Sequence, residues 1–153
     1  MKKQAPKQSA KEAAIGYLSR RDHAEKELRQ KLKTRGYCES DITEAIDFCQ
    51  DYNWLDDARY AGMMMRNGIA KGWGELRIKQ EMKMKGVHGT IVSQIFEEND
   101  TDWYEQAREV ARRKFGNSEM DTPKEKARRF RFMQYRGFDF EQIKYALDTD
   151  DDE

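Results

Sequence analysis

The residues of this chain with the most distinctive chemistry are basic, and two stretches interleave them with aromatic side chains. Around Trp73 the basic residues are Lys71, Arg77, Lys79, Lys83 and Lys85. The second stretch holds Lys124, Lys126, Arg128, Arg129, Arg131 and Arg136, with Phe130, Phe132 and Tyr135 between them. Clustered Lys and Arg neutralise phosphates, which is the main source of salt-dependent affinity for nucleic acid. Acidic protein surfaces would attract the same residues, and a merely solvated helix face has a similar composition, so the partner stays open.

The aromatic residues in these stretches are expected to serve mainly in helix packing. Phe130 and Met133 have the spacing of core positions, so base stacking is the minority interpretation for them. Trp73 lies between two glycines, which indicates a turn, and it is the aromatic residue expected to be exposed.

No constellation of residues predicts catalysis, and we expect no cofactor and no metal. His23 and His88 lie at predicted helix starts, far apart in the chain, where capping or a surface position explains them. The phosphate-binding pattern G-x-x-x-x-G-K-[ST] does not occur. Asp56 and Asp57 are adjacent, and an N-cap followed by a first-turn carboxylate accounts for the pair better than a metal site does.

Composition limits the class of protein. Of 153 residues, 38% are charged and 37% hydrophobic, which argues against one large round core, while 11% aromatic residues argue against disorder. No stretch approaches the roughly 18 apolar residues of a membrane span, and no apolar region follows the N-terminal lysines. Cys38 and Cys49 form no C-x-x-C pair, which predicts two reduced thiols, with Cys49 in a core. A cytoplasmic protein without membrane contact is expected.

An internal repeat is the strongest structural signal. Gly36, Gly86 and Gly137 are spaced by 50 and 51 residues, and each follows a basic residue and precedes an apolar one. Further apolar positions recur in step at four residues before and six, nine and ten residues after each glycine. Periods of this length are typical of stacked supersecondary units. A basic residue followed by glycine is also a typical helix end, since glycine readily adopts positive φ.

The residues after each repeat glycine predict the start of the next helix. In the third copy Phe138 and Ile143 form a hydrophobic staple around the N-cap Asp139, with Gln142 at the third helical position. In the first two copies Cys38 and His88 are poorer caps.

Three other helix starts are predicted from local signals. Leu55 and Tyr60 form a staple around Asp56. The segments 22–25 and 122–125 resemble capping boxes, the second with proline at the first helical position.

These signals predict an all-α fold of three tandem three-helix repeats that form an elongated, curved array. The predicted helices are roughly 10–20, 23–35, 40–52, 57–70, 74–85, 89–98, 102–115, 123–136 and 140–148. The predicted segments are a disordered N-terminus at 1–9, repeats at 10–55, 56–99 and 100–147, and an acidic tail at 148–153.

Several stretches, taken in order, resemble the bacterial regulatory protein RecX family. They are LSRRDHAEKEL (18–28), WLDDARYA (54–61), KGWG (71–74), KGV (85–87), RKFG (113–116) and RGF (136–138). Each motif is weak alone, but their order and spacing over residues 12–147 make the resemblance specific. Ala24, where family members often have serine, and the acidic tail depart from the pattern.

The resemblance implies a modulator of the RecA recombinase that is not an enzyme. Family members bind in the groove of the RecA filament on single-stranded DNA and inhibit its ATPase, strand-exchange and co-protease activities, in DNA recombination, DNA repair and the SOS response. The expected partners are the RecA filament and single-stranded or duplex DNA, and the expected state is a monomer. The basic faces expected to contact them comprise Lys71, Arg77, Lys79, Lys83, Lys85, Arg113, Lys114, Arg128, Arg129, Arg131 and Arg136.

The alternative is a helical-repeat protein that binds DNA or RNA directly. A dedicated duplex binder usually has a pI above ~9, whereas this chain has 6.8. The zero net charge conceals an asymmetry, however, because without residues 148–153 the chain has 29 basic and 24 acidic residues, a net charge of +5.

Overall fold

The computed structural model describes residues 7–147, which form nine α-helices and no strand. The helices are α1 (Ala10–Arg20), α2 (Glu25–Thr34), α3 (Glu39–Asp51), α4 (Asp57–Ala70), α5 (Glu75–Met84), α6 (Gly89–Glu98), α7 (Trp103–Phe115), α8 (Pro123–Arg136) and α9 (Phe140–Leu147). All nine predicted helices are confirmed, with ends that differ by at most two residues. Within these residues no helix combines the length and apolar character needed to cross a bilayer.

The described chain divides into two compact units. Unit 1 contains residues 7–63 and 82–95, and unit 2 contains residues 64–81 and 96–147. The predicted disordered segment and the acidic tail lie outside the described residues, apart from residues 7–9, of which Ser9 is the N-cap of α1.

The core of unit 1 forms where α1 and α2 pack against α3. Its buried side chains are Ala10, Ala13, Ala14, Leu28, Leu32, Ile42, Ala45, Ile46, Cys49 and Leu55. The alanines on one face of α1 leave room for the larger side chains of α2 and α3. Cys49 is a core residue, as predicted, and its burial raises the pKa of its thiol.

The core of unit 2 forms where α7 packs against α9, with α8 beside them. Its buried side chains are Ala107, Val110, Ala111, Met133, Phe138, Ile143 and Ala146. Phe138 and Ile143, the predicted staple of the third copy, both lie in this core.

The predicted helix boundaries around the repeat glycines are confirmed. Gly36, Gly86 and Gly137 have φ of 97°, 80° and 102°, the left-handed region that glycine favours. In the third copy the N–H of Asp139 donates to Gln142 Oε1 at 3.0 Å, and the N–H of Gln142 donates to Asp139 Oδ1 at 2.8 Å. This reciprocal pair is a complete capping box.

The other predicted helix starts are confirmed in part. Asp56 Oδ1 accepts from the N–H groups of Ala58 and Arg59, so Asp56 caps α4 as predicted, and both staple residues Leu55 and Tyr60 are buried. His88 Nδ1 accepts from the N–H of Thr90 at 3.2 Å, so this histidine is a better cap than its residue type indicated.

The capping box predicted at residues 22–25 is wrong. Ala24 occupies the N-cap position of α2 and has no side chain that can accept a hydrogen bond. Asp22 instead binds the Arg59 guanidinium at 3.0 Å, and the first turn of α2 receives its acceptor from Asp57 on α4. Asp22 is therefore paired with a residue of α4 and does not cap its own helix.

The box predicted at residues 122–125 is half formed. Thr122 Oγ1 accepts from the N–H of Glu125 at 3.0 Å, with Pro123 at the first helical position. The Glu125 carboxylate, however, binds Arg128 and Arg129 rather than returning to the cap.

Candidate anion-binding surfaces

In unit 2, cationic and aromatic side chains alternate around the α4–α5 turn. The Arg77 guanidinium lies between two rings, 4.3 Å from the Trp73 centroid and 4.9 Å from the Tyr135 centroid. Lys71 Nζ lies 4.9 Å from the Trp73 centroid. Each contact is a cation–π interaction of about 0.5–1 kcal/mol at an exposed site, so these side chains favour positions beside one another.

The alternation continues on α7 and α8. Phe132 has Arg136 at 4.9 Å from its centroid and Lys114 Nζ at 5.1 Å. Arg136 Nη1 also donates to the Lys71 carbonyl at 2.7 Å, which joins this group to the first. We call the set the basic–aromatic array: Lys71, Trp73, Arg77, Lys114, Phe132, Tyr135 and Arg136.

A close backbone approach positions the array. The N–H of Gly74 donates to the Arg136 carbonyl at 2.7 Å, and the N–H of Leu76 donates to the Gly137 carbonyl at 3.1 Å. A Cβ on Gly74 would lie 2.4 Å from the Gly137 oxygen, and a Cβ on Gly137 would lie 2.4 Å from the Arg77 Cβ. Glycine at both positions therefore allows the α4–α5 turn to dock against the α8–α9 turn.

Trp73 is not the exposed aromatic residue that its position between two glycines predicted. The ring is half-buried, because Lys71 and Arg77 cover it and its turn docks against α8. Tyr135, at 74% exposed, is the open ring of the array. Periodicity assigned Trp73 to a turn correctly, but it could not show what lies against that turn.

Arg129 is also not a surface contact as predicted, since it is only 6% exposed. Its guanidinium binds Glu125 Oε2 at 2.7 Å and Ser118 Oγ at 2.8 Å, and stacks 4.7 Å from the Phe115 centroid. Arg129 therefore joins α8 to the segment that follows α7. The hydrogen bonds from Arg128 and Arg129 lower the pKa of the Glu125 carboxyl to about 2.

The remaining basic residues of the prediction are dispersed. Arg113, Arg128 and Lys79 each form an intrahelical ion pair, with Glu109, Glu125 and Glu75 respectively. Lys83 and Arg131 are exposed and form no ion pair within residues 7–147. These five side chains do not converge with the array.

Lys85 belongs to a second cationic surface, in unit 1, which the sequence analysis missed. A groove of about 530 Å³ lies between α2 and the end of α5. We call it the cationic groove, and its charged and apolar lining comprises Tyr17, Lys26, Glu27, Lys31, Arg35, Met84 and Lys85. The aromatic floor is Tyr17, with Lys31 Nζ at 5.0 Å from its centroid.

The groove carries a net positive charge, because four cations, Lys26, Lys31, Arg35 and Lys85, outnumber its one acid, Glu27. Glu27 Oε2 lies 2.5 Å from Arg21 Nη2. Burial of Glu27 raises the pKa of its carboxyl, but the hydrogen bond from Arg21 and the nearby positive charges of Arg21 and Lys85 together lower it below its ordinary value. Glu27 therefore stays ionised and paired with Arg21.

One of these cations is held by a buried histidine. His23 Nδ1 lies 3.0 Å from the Arg21 carbonyl, which can only accept, so this nitrogen carries the proton. His23 Nε2 then accepts from Lys31 Nζ at 2.8 Å. Burial lowers the pKa of His23, so the ring is neutral and fixes the ammonium at the groove.

The repeat itself contained a signal for this groove. Arg35, Lys85 and Arg136 are the basic residues before the three repeat glycines. Two of them line the groove and the third belongs to the array. Equivalent positions of the repeat therefore supply both cationic surfaces.

Both surfaces present cations beside aromatic rings. Within residues 7–147 no three His, Cys, Asp or Glu side chains are arranged to hold a metal ion. Asp57, considered above as a ligand candidate, accepts from the Glu25 N–H at 2.8 Å. Cations beside aromatic faces can bind phosphates and stack on bases, or bind acidic side chains.

Models of three successive domains match the chain. The first, second and third three-helix domains of RecX match residues 10–49, 56–94 and 100–147. The chain belongs to the RecX family. It is 50% identical over 152 residues to the regulatory protein RecX of Vibrio campbellii, covering 99% of this chain and 98% of that protein. It is 38% identical to the RecX protein of Haemophilus influenzae over 126 residues, 81% of this chain and 83% of that protein.

The fold agrees with this RecX assignment. A crystal structure of RecX from Lactobacillus salivarius superimposes with a TM-score of 0.76 at 21% identity, covering 92% of this chain and 93% of that one. The all-α fold of three three-helix domains, expected from the repeat and from the resemblance, is thereby confirmed.

Proposed function

We propose that this chain is a negative modulator of the RecA recombinase, without catalytic activity, that binds the groove of the RecA–single-stranded DNA filament. It acts as a monomer in the cytoplasm, contacts more than one RecA protomer, and inhibits ATPase, strand exchange and co-protease activity. Membership of the RecX family supports the regulatory role. The observation that carries the binding mode is the basic–aromatic array, in which Arg77 is stacked between Trp73 and Tyr135.

The array suits single-stranded DNA that is already held by a protein. Lys71 and Lys114 are exposed and can approach phosphates, while the open ring of Tyr135 can stack on a base. The cation–π contacts already bias these side chains toward positions beside one another, which reduces the entropy lost when a ligand binds.

Two cationic surfaces in one chain suit an assembly of repeating subunits. Unit 1 carries the cationic groove and unit 2 carries the array. A chain bound through both surfaces contacts the filament at two places and opposes the relative motion of protomers during ATP turnover. Inhibition then follows from binding, without any chemical step.

Co-sedimentation with RecA–single-stranded DNA filaments tests the proposal. We expect the wild-type chain to pellet with the filaments, and Lys71→Glu/Lys114→Glu to pellet at least several-fold less. The matched control, Lys124→Glu/Lys126→Glu, reverses two exposed charges of α8 outside the array and should behave as wild type. If both variants pellet with the filaments as well as the wild type does, the array does not contribute to filament binding.

The second candidate is direct binding of nucleic acid, which the same array favours through its stacked rings. It predicts that the chain binds single-stranded DNA without RecA, with an affinity that falls steeply as salt rises. The proposed function predicts instead that RecA is needed for tight binding. Fluorescence anisotropy of a labelled oligothymidylate, with and without RecA, separates the two.

A further inference from the structure

An exposed aromatic cluster lies at the end of α3 in unit 1. It shares no residue with the cationic groove or with the basic–aromatic array. Tyr52 and Trp54 are 59% and 43% exposed. Their rings are stacked at 5.2 Å with an angle of 24°, and the Trp54 ring meets Phe48 edge-on at 5.7 Å. Exposed apolar clusters of this kind are typical of interaction surfaces.

Hydrogen bonds hold the backbone of the turn that carries the cluster. Asn53, between the two rings, has a φ of 60°, the left-handed conformation that asparagine tolerates. Arg59 donates to the carbonyls of Asn53 at 2.9 Å and Trp54 at 3.1 Å, and its guanidinium is fixed in turn by Asp22. Two hydrogen bonds from Arg59 therefore hold the turn that carries the rings, which lowers the entropic cost of binding.

Acidic residues beside the cluster indicate the charge of its partner. Glu44, Asp47 and Asp51 share one exposed face of α3 at helical spacing, and none forms an ion pair within residues 7–147. Asp51 ends the helix, where the macrodipole disfavours negative charge, and the last turn has no basic residue. An uncompensated negative charge at a helix C-terminus breaks a local stability rule, and such exceptions are expected at functional positions.

Three features of this turn attract a cation. They are the exposed carboxylates of Asp47 and Asp51, the negative end of the α3 dipole, and the exposed Tyr52 and Trp54 rings. The cluster already attracts one cation of its own chain, since Lys11 Nζ lies 4.6 Å from the Phe48 centroid.

We propose that Phe48, Tyr52 and Trp54, with Asp47 and Asp51, form a docking surface for an arginine- or lysine-bearing segment of a partner protein. The planar guanidinium of arginine fits best, since it can stack on a ring and bind a carboxylate together. Nucleic acid is disfavoured, because phosphates would be repelled by the carboxylates. The inference goes beyond the proposed function, and it assigns to unit 1 a surface of opposite sign to the cationic groove.

The test uses the full chain, labelled with ¹⁵N, and an acetylated and amidated tetra-arginine peptide as the probe. We expect the peptide to shift the amide signals of Asp47, Asp51 and Tyr52 and the indole signal of Trp54. Trp54→Leu keeps an apolar side chain but removes the ring, and should weaken binding about five-fold, in the range of one cation–π contact. Asp47→Asn/Asp51→Asn should weaken it about ten-fold.

The control variant is Glu119→Gln/Asp121→Asn, which neutralises two exposed acids elsewhere in the chain and should bind as wild type. The proposal is overturned if this control weakens binding as much as the α3 variant, or if Trp54→Leu has no effect. It is also overturned if an oligothymidylate shifts the same signals, since the surface would then take nucleic acid. Neither RecA nor DNA is present in the peptide titration, so its outcome is independent of the proposed function.

Discussion

Asp57 Oδ1 accepts a hydrogen bond at 2.8 Å from the backbone N–H of Glu25, a residue 32 positions earlier in the chain. The first turn of α2 is therefore capped by the first turn of α4. Burial raises the pKa of Asp57, against the effect of this hydrogen bond, and the nearby Glu25 and Asp56 charges raise it further. This hydrogen bond joins α2 of the first predicted repeat to α4 of the second.

Removing this cap should destabilise the fold. We expect Asp57→Ala to lower the free energy of unfolding by about 1 kcal/mol, because the Glu25 N–H loses its acceptor. Asp57→Asn keeps a side-chain oxygen and should lose much less. Urea denaturation followed by circular dichroism measures both, and equal losses in the two variants would show that the hydrogen bond is not the source.

Closing the space at Gly74 should disturb unit 2. A Cβ there would lie 2.4 Å from the Gly137 oxygen, and overpacking of this kind costs about 1–3 kcal/mol. Gly74→Ala should therefore unfold at lower urea and lose filament binding. Gly16→Ala is the matched control, because a Cβ on this α1 residue meets nothing within 4 Å. This substitution should stabilise the helix by about 0.5–1 kcal/mol. A neutral Gly74→Ala would contradict the close docking of the two turns.

The buried His23 should make stability depend on pH. Burial lowers its pKa in the folded state below the ordinary 6.5, so the unfolded chain takes up the proton first as the pH falls. Acidification below about 6.5 therefore favours unfolding. We expect the free energy of unfolding to fall between pH 7 and pH 5 in the wild type, and to fall less in His23→Gln. Parallel curves for the two proteins would rule out this histidine as the source.

Glu125 should make stability depend on pH in a second, more acidic range. Hydrogen bonds from Arg128 and Arg129 hold its pKa at about 2, below the ordinary 4.5. The stability that the ionised carboxylate provides is present above about pH 4.5 and is lost as the pH falls toward 2. Glu125→Gln should be less stable at pH 7, because buried Arg129 loses its charged partner, and its stability should vary less below pH 4.5. Thermal melts at pH 3 and pH 7 give the comparison.

The helices were predicted well because caps, staples and helix ends depend on residues that are close together in the sequence. The staple of Phe138 and Ile143 and the positive φ of Gly137 both follow from the residues at and beside the turn. Contacts between distant segments were not predictable in this way. The burial of Arg129 depends on where Ser118 lies, and the cap from Asp57 depends on which helix lies beside α2.

In the candidate site too, local composition was predictable and contacts between distant segments were not. The composition of the basic stretches was evident, but charge alone placed buried Arg129 with exposed Arg131 and gave no sign of the groove that Lys26, Lys31 and Arg35 share with Lys85. The repeat offered partial help, since Arg35 and Lys85 occupy equivalent positions. Sequence therefore predicted the kind of surface, while the packing of helices decided which cations belong to it.

Restraint of the RecA filament is tested most directly by the single-stranded-DNA-dependent ATPase of RecA, measured with this chain at stoichiometric amounts. We expect strong inhibition by the wild-type chain and by Lys124→Glu/Lys126→Glu, and weak inhibition by Lys71→Glu/Lys114→Glu at unchanged circular dichroism. An ATPase rate that the wild-type chain leaves unaltered would contradict the proposal that this protein restrains the RecA filament.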